Sequence, residues 1–367
     1  MVDLLKDLPC AVEPVVPCVD PWRYRNKFEF VFGTGSDQRL ILGLRRRGSY
    51  QNVLDVNDCW LQSTVGNRLR ILTKDFFAQR SYVAYHPNTH QGLLRFLIVR
   101  ESFSQQKLMA NLVVASVAAL PAEDLQAWVN LIRGEISELA SVYLSEQPER
   151  SDTAFSENLQ HLWGDEALYE TLRTKEAARG TQHPALSTFK ISPLAFFQTN
   201  SRQVQILYDT LNNLAGLTGQ ETVLDLYCGT GTISQLLARD ARWIYGIESV
   251  APAIADAKIN AQNNHVANVT YITDKVETWL KWNGDEVDAD VWVLDPPRSG
   301  LNPKILNKRL RELVRKPQRI VYVSCNPKHL PSDLSKLLDW YDIEHVVPVD
   351  MFPHTPHLEV VISLHKR

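Results

Sequence analysis

The sequence predicts an α+β domain with an antiparallel sheet, followed by a doubly wound α/β domain. Three observations carry this. Alternating apolar and polar segments between Gly, Asn and Ser breaks fill the first half; from about residue 201 short apolar strands alternate with amphipathic helices; and the stretch between, roughly 145–200, turns polar and irregular. A chain of 367 residues is long enough for two domains with separate cores. The expected division is an amino-terminal arm over 1–20, an α+β domain over 21–184 and an α/β domain over 185–367.

In the first domain, residues 21–33, 39–45, 93–103 and 107–117 read as strands, because β-branched and aromatic residues alternate there with polar ones. The helical apolar period predicts helices over 61–79 and 122–141. In the second domain strands are expected at 221–227, 243–248, 268–273, 290–295, 319–325, 343–349 and 358–365, with helices between most of them. Strands apolar on both faces in such a series predict a parallel sheet covered by helices on each side.

Composition narrows the class. With 44% hydrophobic and 22% charged residues, the chain has the profile of a globular protein in water. No stretch approaches the roughly 18 apolar residues of a membrane helix, and the start MVDLLKDLPC lacks the basic and apolar regions of a signal peptide. Neither membrane insertion nor secretion is expected. The five cysteines, Cys10, Cys18, Cys59, Cys228 and Cys325, are odd in number, scattered and free of any CxxC pair. That predicts neither a disulfide framework nor a zinc ribbon, and suits a reducing cytoplasm. The net charge of −3 gives no global attraction to nucleic acid, so such a partner would need local basic patches.

Five segments carry chemistry. In VLDLYCGTGTIS (223–234) a strand holds Asp225, the glycines Gly229 and Gly231 follow, and a helix starts near Ile233, so backbone amides can approach a ligand closely. The spacing is not a full GxGxxG. The next strand ends in Glu248, where an acid accepts hydrogen bonds from ribose hydroxyls. Tight-turn geometry alone would also explain the glycines, and Cys228 reads as a small packed residue. In VLDPPRSG (293–300), Asp295 ends a strand and two prolines stiffen the loop at the edge where α/β ligands sit. Asp295 can accept from a planar ligand and Arg298 can hold a phosphate; the bland alternative is a stiff connection with solvated charges.

In VYVSCNP (321–327) the apolar run ends at Val323 and Cys325 emerges at the same edge, a candidate nucleophile where most buried cysteines are inert. In DMFPHTPHLEVVISL (350–364), Glu359 starts the last strand, and an antiparallel course would bring it to the edge holding Asp225, Glu248, Asp295 and Cys325. His354, His357 and Glu359 match no zinc signature, and no metal is expected. In STFKISPLAFFQTNSRQV (187–204), one of Phe196 and Phe197 belongs to the core, while Gln198 and Asn200 can present amides to a ligand before a helix starting near 202.

The joint presence of FFQTN, DLYCGTGT, DPPRSG, SCNP and HTPHLE resembles the RNA 5-methyluridine methyltransferase family. These enzymes use S-adenosylmethionine to methylate C5 of a uridine in transfer or ribosomal RNA. The first half is similar more loosely, through YRNKFEF (24–30), GLRRRGS (43–49) and the segment around Cys59. The resemblance implies a Rossmann-like methyltransferase domain, Cys325 as nucleophile and Glu359 as base. It places Gln198, Tyr227, Thr232, Glu248 and Asp295 around the cofactor and target base, and adds Asp274 as a contact to adenosine.

The chemistry agrees with that implication. C5 of uracil is too poor a nucleophile to take a methyl group unaided, so a thiolate must first add at C6. After transfer the C5 proton must leave so that the cysteine can be eliminated, which requires a positioned base. The target must also be flipped out of folded RNA, and stacking on an aromatic such as Phe196 is expected.

Two features depart from the family pattern. Many members begin with a small β-barrel RNA-binding domain; none is expected ahead of this segment, so the RNA grip is expected from Arg23, Arg25, Lys27, Arg45, Arg46 and Arg47. One branch holds an iron–sulfur cluster on four cysteines; Cys59 sits where the fourth would be, the closely spaced trio is missing, and Cys10 and Cys18 lie too far along to replace it. A monomer without a cluster is expected. Two rival functions share these features: a cytosine-C5 RNA methyltransferase, and a catalytically silent RNA-binding factor on the same scaffold. The carboxamide of Gln198 favours uracil, and retention of Cys325, Glu359 and Asp295 favours catalysis.

Overall fold

The computed structural model describes residues 10–49, 51–148, 153–154, 156, 158–173, 186–302 and 312–367. Trp22–Glu170 with Ile191–Leu194 make one compact unit; residues up to Pro21, Thr171–Lys190 and Ala195–Arg367 make the other.

The first unit is built on a seven-stranded sheet. Its strands are β1 (Lys27–Thr34), β2 (Leu40–Arg45), β3 (Val53–Leu54), β4 (Leu94–Ser102), β5 (Lys107–Val114), β6 (Leu139–Glu146) and β7 (Leu159–Gly164), in the order β3-β2-β1-β4-β5-β6-β7. Strand alternation puts Phe28, Phe30 and Phe32 of β1 on the face that packs against α1 (Thr64–Gln79) and α2 (Ala122–Glu135). Helix α1 starts where it does because the Ser63 hydroxyl accepts from Gly66 N at 2.9 Å. Trp128 of α2 is buried and donates from Nε1 to Thr73 Oγ1 of α1 at 3.2 Å.

Sequence reading and structure part in three places here. The sheet is antiparallel except for the parallel pair β5 and β6. The helix expected over 122–141 stops at Glu135, since Ile136 is already extended and Leu139 opens β6; Arg133 and Gly134 in its last turn mark that stop, which the apolar period alone overran. The polar stretch read as irregular also carries β7 and a two-stranded ribbon of β8 (Leu168–Arg173) and β9 (Leu186–Ile191).

The second unit holds another seven-stranded sheet. Its strands are β10 (Thr222–Leu226), β11 (Trp243–Glu248), β12 (Val269–Thr273), β13 (Val291–Leu294), β14 (Arg319–Ser324), β15 (Tyr341–Val349) and β16 (Glu359–Lys366). The helices of this unit among the described residues are α3 (Ser201–Ala215), α4 (Thr232–Leu237), α5 (Ala251–Asn263), α6 (Val276–Asn283) and α7 (Leu330–Leu337). The strand order is β12-β11-β10-β13-β14-β16-β15. The pairs from β12 to β14 are parallel, whereas β16 is antiparallel to both of its neighbours. The order reverses between β10 and β13, the switch point where open α/β sheets form a crevice. Over Glu13–Val16 the segment expected as an arm lies along the outer edge of β15, with Glu13 N donating to Val346 O (2.9 Å) and Val16 N to Pro348 O (2.8 Å). Covering an edge strand in this way removes its free hydrogen-bonding groups. Among the described residues, no helix is long and apolar enough to cross a membrane.

Helix α3 begins at Ser201 because Asn200 caps it: Oδ1 accepts from Gln203 N (3.1 Å) while Nδ2 donates to Met351 O (3.1 Å). Both amide atoms are engaged in the fold, so Asn200 does not present its amide to a ligand as the sequence suggested. Asn200→Ala should lower unfolding free energy by about 1–2 kcal/mol through loss of the cap and of a buried bond. Urea titration checks this, and an unchanged midpoint would contradict it.

Candidate active site

The carboxyl edge of the second sheet gathers most of the residues singled out by sequence. Leu226 of β10 pairs with Leu294 of β13, and Leu294 pairs with Tyr322 of β14. Asp225, Asp295 and Cys325 therefore reach one edge on three neighbouring strands or just past their ends. Ser324 pairs with Val360, so Cys325 and Glu359, one residue beyond in each direction, come opposite each other. The antiparallel course of the last strand is what brings Glu359 there.

These groups share one electrostatic field. Asp225 is fully buried; its Oδ2 accepts from the Ser234 hydroxyl and its Oδ1 has no hydrogen-bond partner. Burial pushes its pKa up to about 6, against the Ser234 bonds and with the help of the Glu248 charge. Asp295 is half-buried, and lost hydration together with the Asp225 charge raises it to about 7. Glu359 is buried, with Oε2 unpartnered; burial first and Asp295 second hold its carboxyl well above the ordinary range, opposed by Arg298. Burial, then Glu359 and Asp295, push the Cys325 thiol up to about 12, again opposed by Arg298. The exposed Arg298 is tied to the cysteine loop by Asn326 Nδ2 donating to its carbonyl at 3.3 Å.

The glycine turn lies across the switch point. Tyr227, Gly229 and Gly231 all have positive φ, and Gly231 caps α4 at Thr232. A Cβ at Gly231 would sit 2.3 Å from the Tyr271 hydroxyl, which donates to Gly231 O at 3.2 Å, so the turn is pinned over that ring. Glu248 ends β11 with Oε1 accepting from Val250 N (2.9 Å) and the Ser249 hydroxyl (3.1 Å), which aims the carboxylate at the edge. Asp274 follows the next strand outward, its N donating to Glu248 O at 3.0 Å. Cys228 packs with Ile254, Ala257 and Tyr271, a small core residue as read from the sequence.

Other expected residues fall less simply. Tyr227 packs against the core, with Glu277 and the Asn302 backbone beside its phenol. Gln198 is buried, Phe197 is core at 5% exposure, and Phe196 is 67% exposed, free to stack on a planar ligand. Of the cations expected to grip RNA, Arg23 pairs with Asp58 at 2.8 Å, Lys27 pairs with Glu29 at 2.7 Å, and Arg25 and Arg45 lie over the Phe28 and Phe96 rings. Arg46 and Arg47 stand exposed in the turn after β2. Among the described residues no three His, Cys, Asp or Glu side chains are grouped to hold a metal ion. The sequence did not single out Tyr208: it sits buried on α3 with Asp295, Asp225 and Glu359 as charged neighbours, and its helical spacing marks it only as core.

A doubly wound sheet with a glycine turn at its switch point and an acid closing the next strand is the arrangement of an α/β enzyme that binds a nucleoside-bearing cofactor, here with a thiol facing a carboxylate at the same edge. Comparison with known proteins is more specific. Residues 187–367 match the family model of tRNA (uracil-5-)-methyltransferases. An uncharacterised RNA methyltransferase of Halalkalibacterium halodurans is 36% identical over 358 residues, covering 96% of this chain and 73% of that protein. Another, from Caldanaerobacter subterraneus, is 36% identical over 347 residues, covering 94% and 72%. The crystal structure of Pyrococcus abyssi tRNA (uracil-54, C5)-methyltransferase, in complex with S-adenosyl-L-homocysteine, matches with a TM-score of 0.76 and 28% identity, over 99% of this chain and 81% of that one. The chain belongs to the RNA (uracil-5-)-methyltransferase family and is an enzyme of that class.

The acid cluster has a consequence for stability. The folded pKa of Asp225 lies above its ordinary 3.8, so the folded state takes up a proton more readily than the unfolded chain. Its contribution is best in acid and declines as pH rises from about 4 through 6, by on the order of 3 kcal/mol. Asp225→Asn carries no charge to bury. Its stability relative to the parent should therefore grow across that window, as measured by denaturant unfolding at several pH values; a pH-independent difference would contradict the assignment.

Proposed function

We propose that this enzyme transfers a methyl group from S-adenosylmethionine to C5 of a specific uridine in structured ribosomal or transfer RNA, through a covalent link from Cys325 to C6. The observation that carries the proposal is the meeting of Cys325 and Glu359 on neighbouring strands, with a buried Glu359 oxygen that has no partner.

The residues present suit the cofactor. Clustered, poorly compensated carboxylates at Asp225, Asp295 and Glu359 favour a cationic guest, and the Asp225 oxygen without a partner can accept a further hydrogen bond. Glu248 would accept from the ribose, the backbone at Gly229, Gly231 and Thr232 would line the turn, and Gln198 and Asp274 would complete the pocket. S-adenosylmethionine, when bound, supplies an electrophilic methyl group on a sulfonium.

The chain's own residues do the rest. Phe196 offers a face on which the flipped base can stack, and Arg298 can meet a phosphate. Attack by the Cys325 sulfur forms the S–C6 bond, moves the C5–C6 π pair toward C5 and O4, and passes the thiol proton to the neighbouring carboxylate of Asp295, which returns it when the sulfur leaves. Because the thiol is held up near 12, attack must be coupled to that proton loss. The electron-rich C5 then takes the methyl group. Glu359 removes the C5 proton, and the C5–H pair re-forms the C5–C6 double bond as sulfur leaves. A buried carboxyl with a raised pKa is a better proton acceptor near neutral pH than an ordinary glutamate.

The two residues act at different steps, and variants separate them. Cys325→Ala should abolish both methylation and any covalent protein–RNA species. Glu359→Gln should still add and methylate, then stall, accumulating a denaturant-resistant complex with methylated RNA. Gel analysis with labelled cofactor and transcript reads both. Label in a covalent band for Cys325→Ala, or parent-like turnover for Glu359→Gln, would mean the roles are wrong.

A further inference from the structure

We propose that Asp333 is a positioning residue for this reaction: from α7 it pins the loop carrying Asp295 and Arg298 to the strand that delivers Cys325. The inference rests on the reading of Cys325 as nucleophile. A single buried oxygen makes the link, since Asp333 Oδ2 accepts from the Tyr322 hydroxyl at 2.8 Å and from Leu301 N at 3.1 Å. Tyr322 is on β14, three residues before Cys325, and pairs with Leu294, the residue before Asp295. Leu301 closes the far end of the loop. Hydrogen bonds to a carboxylate are roughly twice as strong as neutral ones.

The loop geometry explains why a pin is needed at that end. Asp295 follows β13, and Pro296 and Pro297 make the next residues stiff, so the place of Arg298 depends on how the far end is held; there Leu301 is buried in the core and Asn302 Nδ2 donates to Glu277 Oε1, while Asp333 makes the bond to the Leu301 backbone. Gly300 has a φ of +78°, and a Cβ there would lie 2.7 Å from Asp333 Oδ2. The chain thus passes close against the carboxylate, in a conformation that suits glycine. Asn326 Nδ2, donating to Arg298 O at 3.3 Å, is a second and weaker stitch between the same two loops.

What the pin sets is the place of the Arg298 charge. Among the described residues, Arg298 is the one cation that works against Glu359 and Asp295 at the Cys325 thiol, while burial is the largest influence raising that thiol. Two kinds of damage therefore have opposite signs. If the loop swings and Arg298 moves away, the thiol becomes less acidic and alkylates more slowly. If the site merely loosens, burial is relieved and the thiol alkylates faster.

The experiment uses the full chain with Asp333→Ala, Asp333→Asn and Tyr322→Phe, reading iodoacetamide alkylation of the Cys325 peptide against pH, and methyl-transfer kcat and KM. Asp333→Ala should alkylate more slowly than the parent and lose about 10- to 100-fold in kcat, with a smaller rise in KM for RNA as Arg298 leaves its phosphate. Asp333→Asn keeps an oxygen able to accept both bonds and should stay within about threefold of the parent. Faster alkylation of Asp333→Ala, an unchanged kcat, or an Asp333→Asn enzyme as impaired as Asp333→Ala would overturn the proposal. Should Asp333→Ala fail to fold, Tyr322→Phe, which removes one bond, must still slow alkylation, and parent-like alkylation would overturn it. A parent enzyme that methylates without any adduct at Cys325 would refute the nucleophile instead, leaving the alkylation comparison to judge Asp333.

Discussion

Carboxylates set close together in a low-dielectric site suppress one another's ionisation, and Asp225, Asp295 and Glu359 form such a series at one sheet edge. Burial raises all of them first; Asp225 adds to the rise at Asp295, Asp295 to that at Glu359, and Glu359 and Asp295 to that at Cys325, while Arg298 opposes the effect at the last two. In isolation this arrangement weakens the fold at neutral pH. Under the proposed mechanism it serves as a site that waits for positive charge and that needs a carboxyl able to take a proton from carbon. A carboxyl held above its ordinary range and an unpartnered buried oxygen are features that would be removed if stability alone were optimised.

The topology creates the field. Parallel strands β10, β13 and β14 send their carboxyl ends to one edge, and only a strand running the other way can bring its first residue there. Strand β16 does so from between β14 and β15, which places Glu359 against the end of β14. The stitching by Asp333, Tyr322 and Asn326 then fixes the loops that leave those strands.

Much of this was legible in the sequence for physical reasons. Strands apolar on both faces, such as Val291–Leu294 and Arg319–Ser324, announce a parallel sheet, and an acid or thiol just past such a run must sit at the ligand edge. Gly229 and Gly231 announce a turn with positive φ. Less legible were features decided by tertiary contacts. The end of α2 at Glu135 is marked only by Arg133 and Gly134 inside a continuing apolar period, and β7 to β9 are short strands in a polar stretch. Asn200 looked ligand-facing because a cap and a ligand contact ask for the same side chain. Tyr208 and Asp333 occupy ordinary amphipathic helix positions, and only the fold shows which charges and loops they meet. Arg23, Arg25, Lys27, Arg45, Arg46 and Arg47 read in sequence as one basic group, yet among the described residues aromatic faces and carboxylates engage all of these but Arg46 and Arg47.

The central claim is that Cys325 forms a covalent bond to the base before the C5 substituent is lost, and the most direct measurement traps that state. A transcript carrying 5-fluorouridine, incubated with S-adenosylmethionine, presents C5 with a fluorine that Glu359 cannot remove as a proton. The account expects a denaturant-resistant complex whose digestion yields the peptide containing Cys325 bonded to a methylated fluorouridine. A complex linked through Cys10, Cys18, Cys59 or Cys228, or methyl transfer with no covalent species at all, would contradict it.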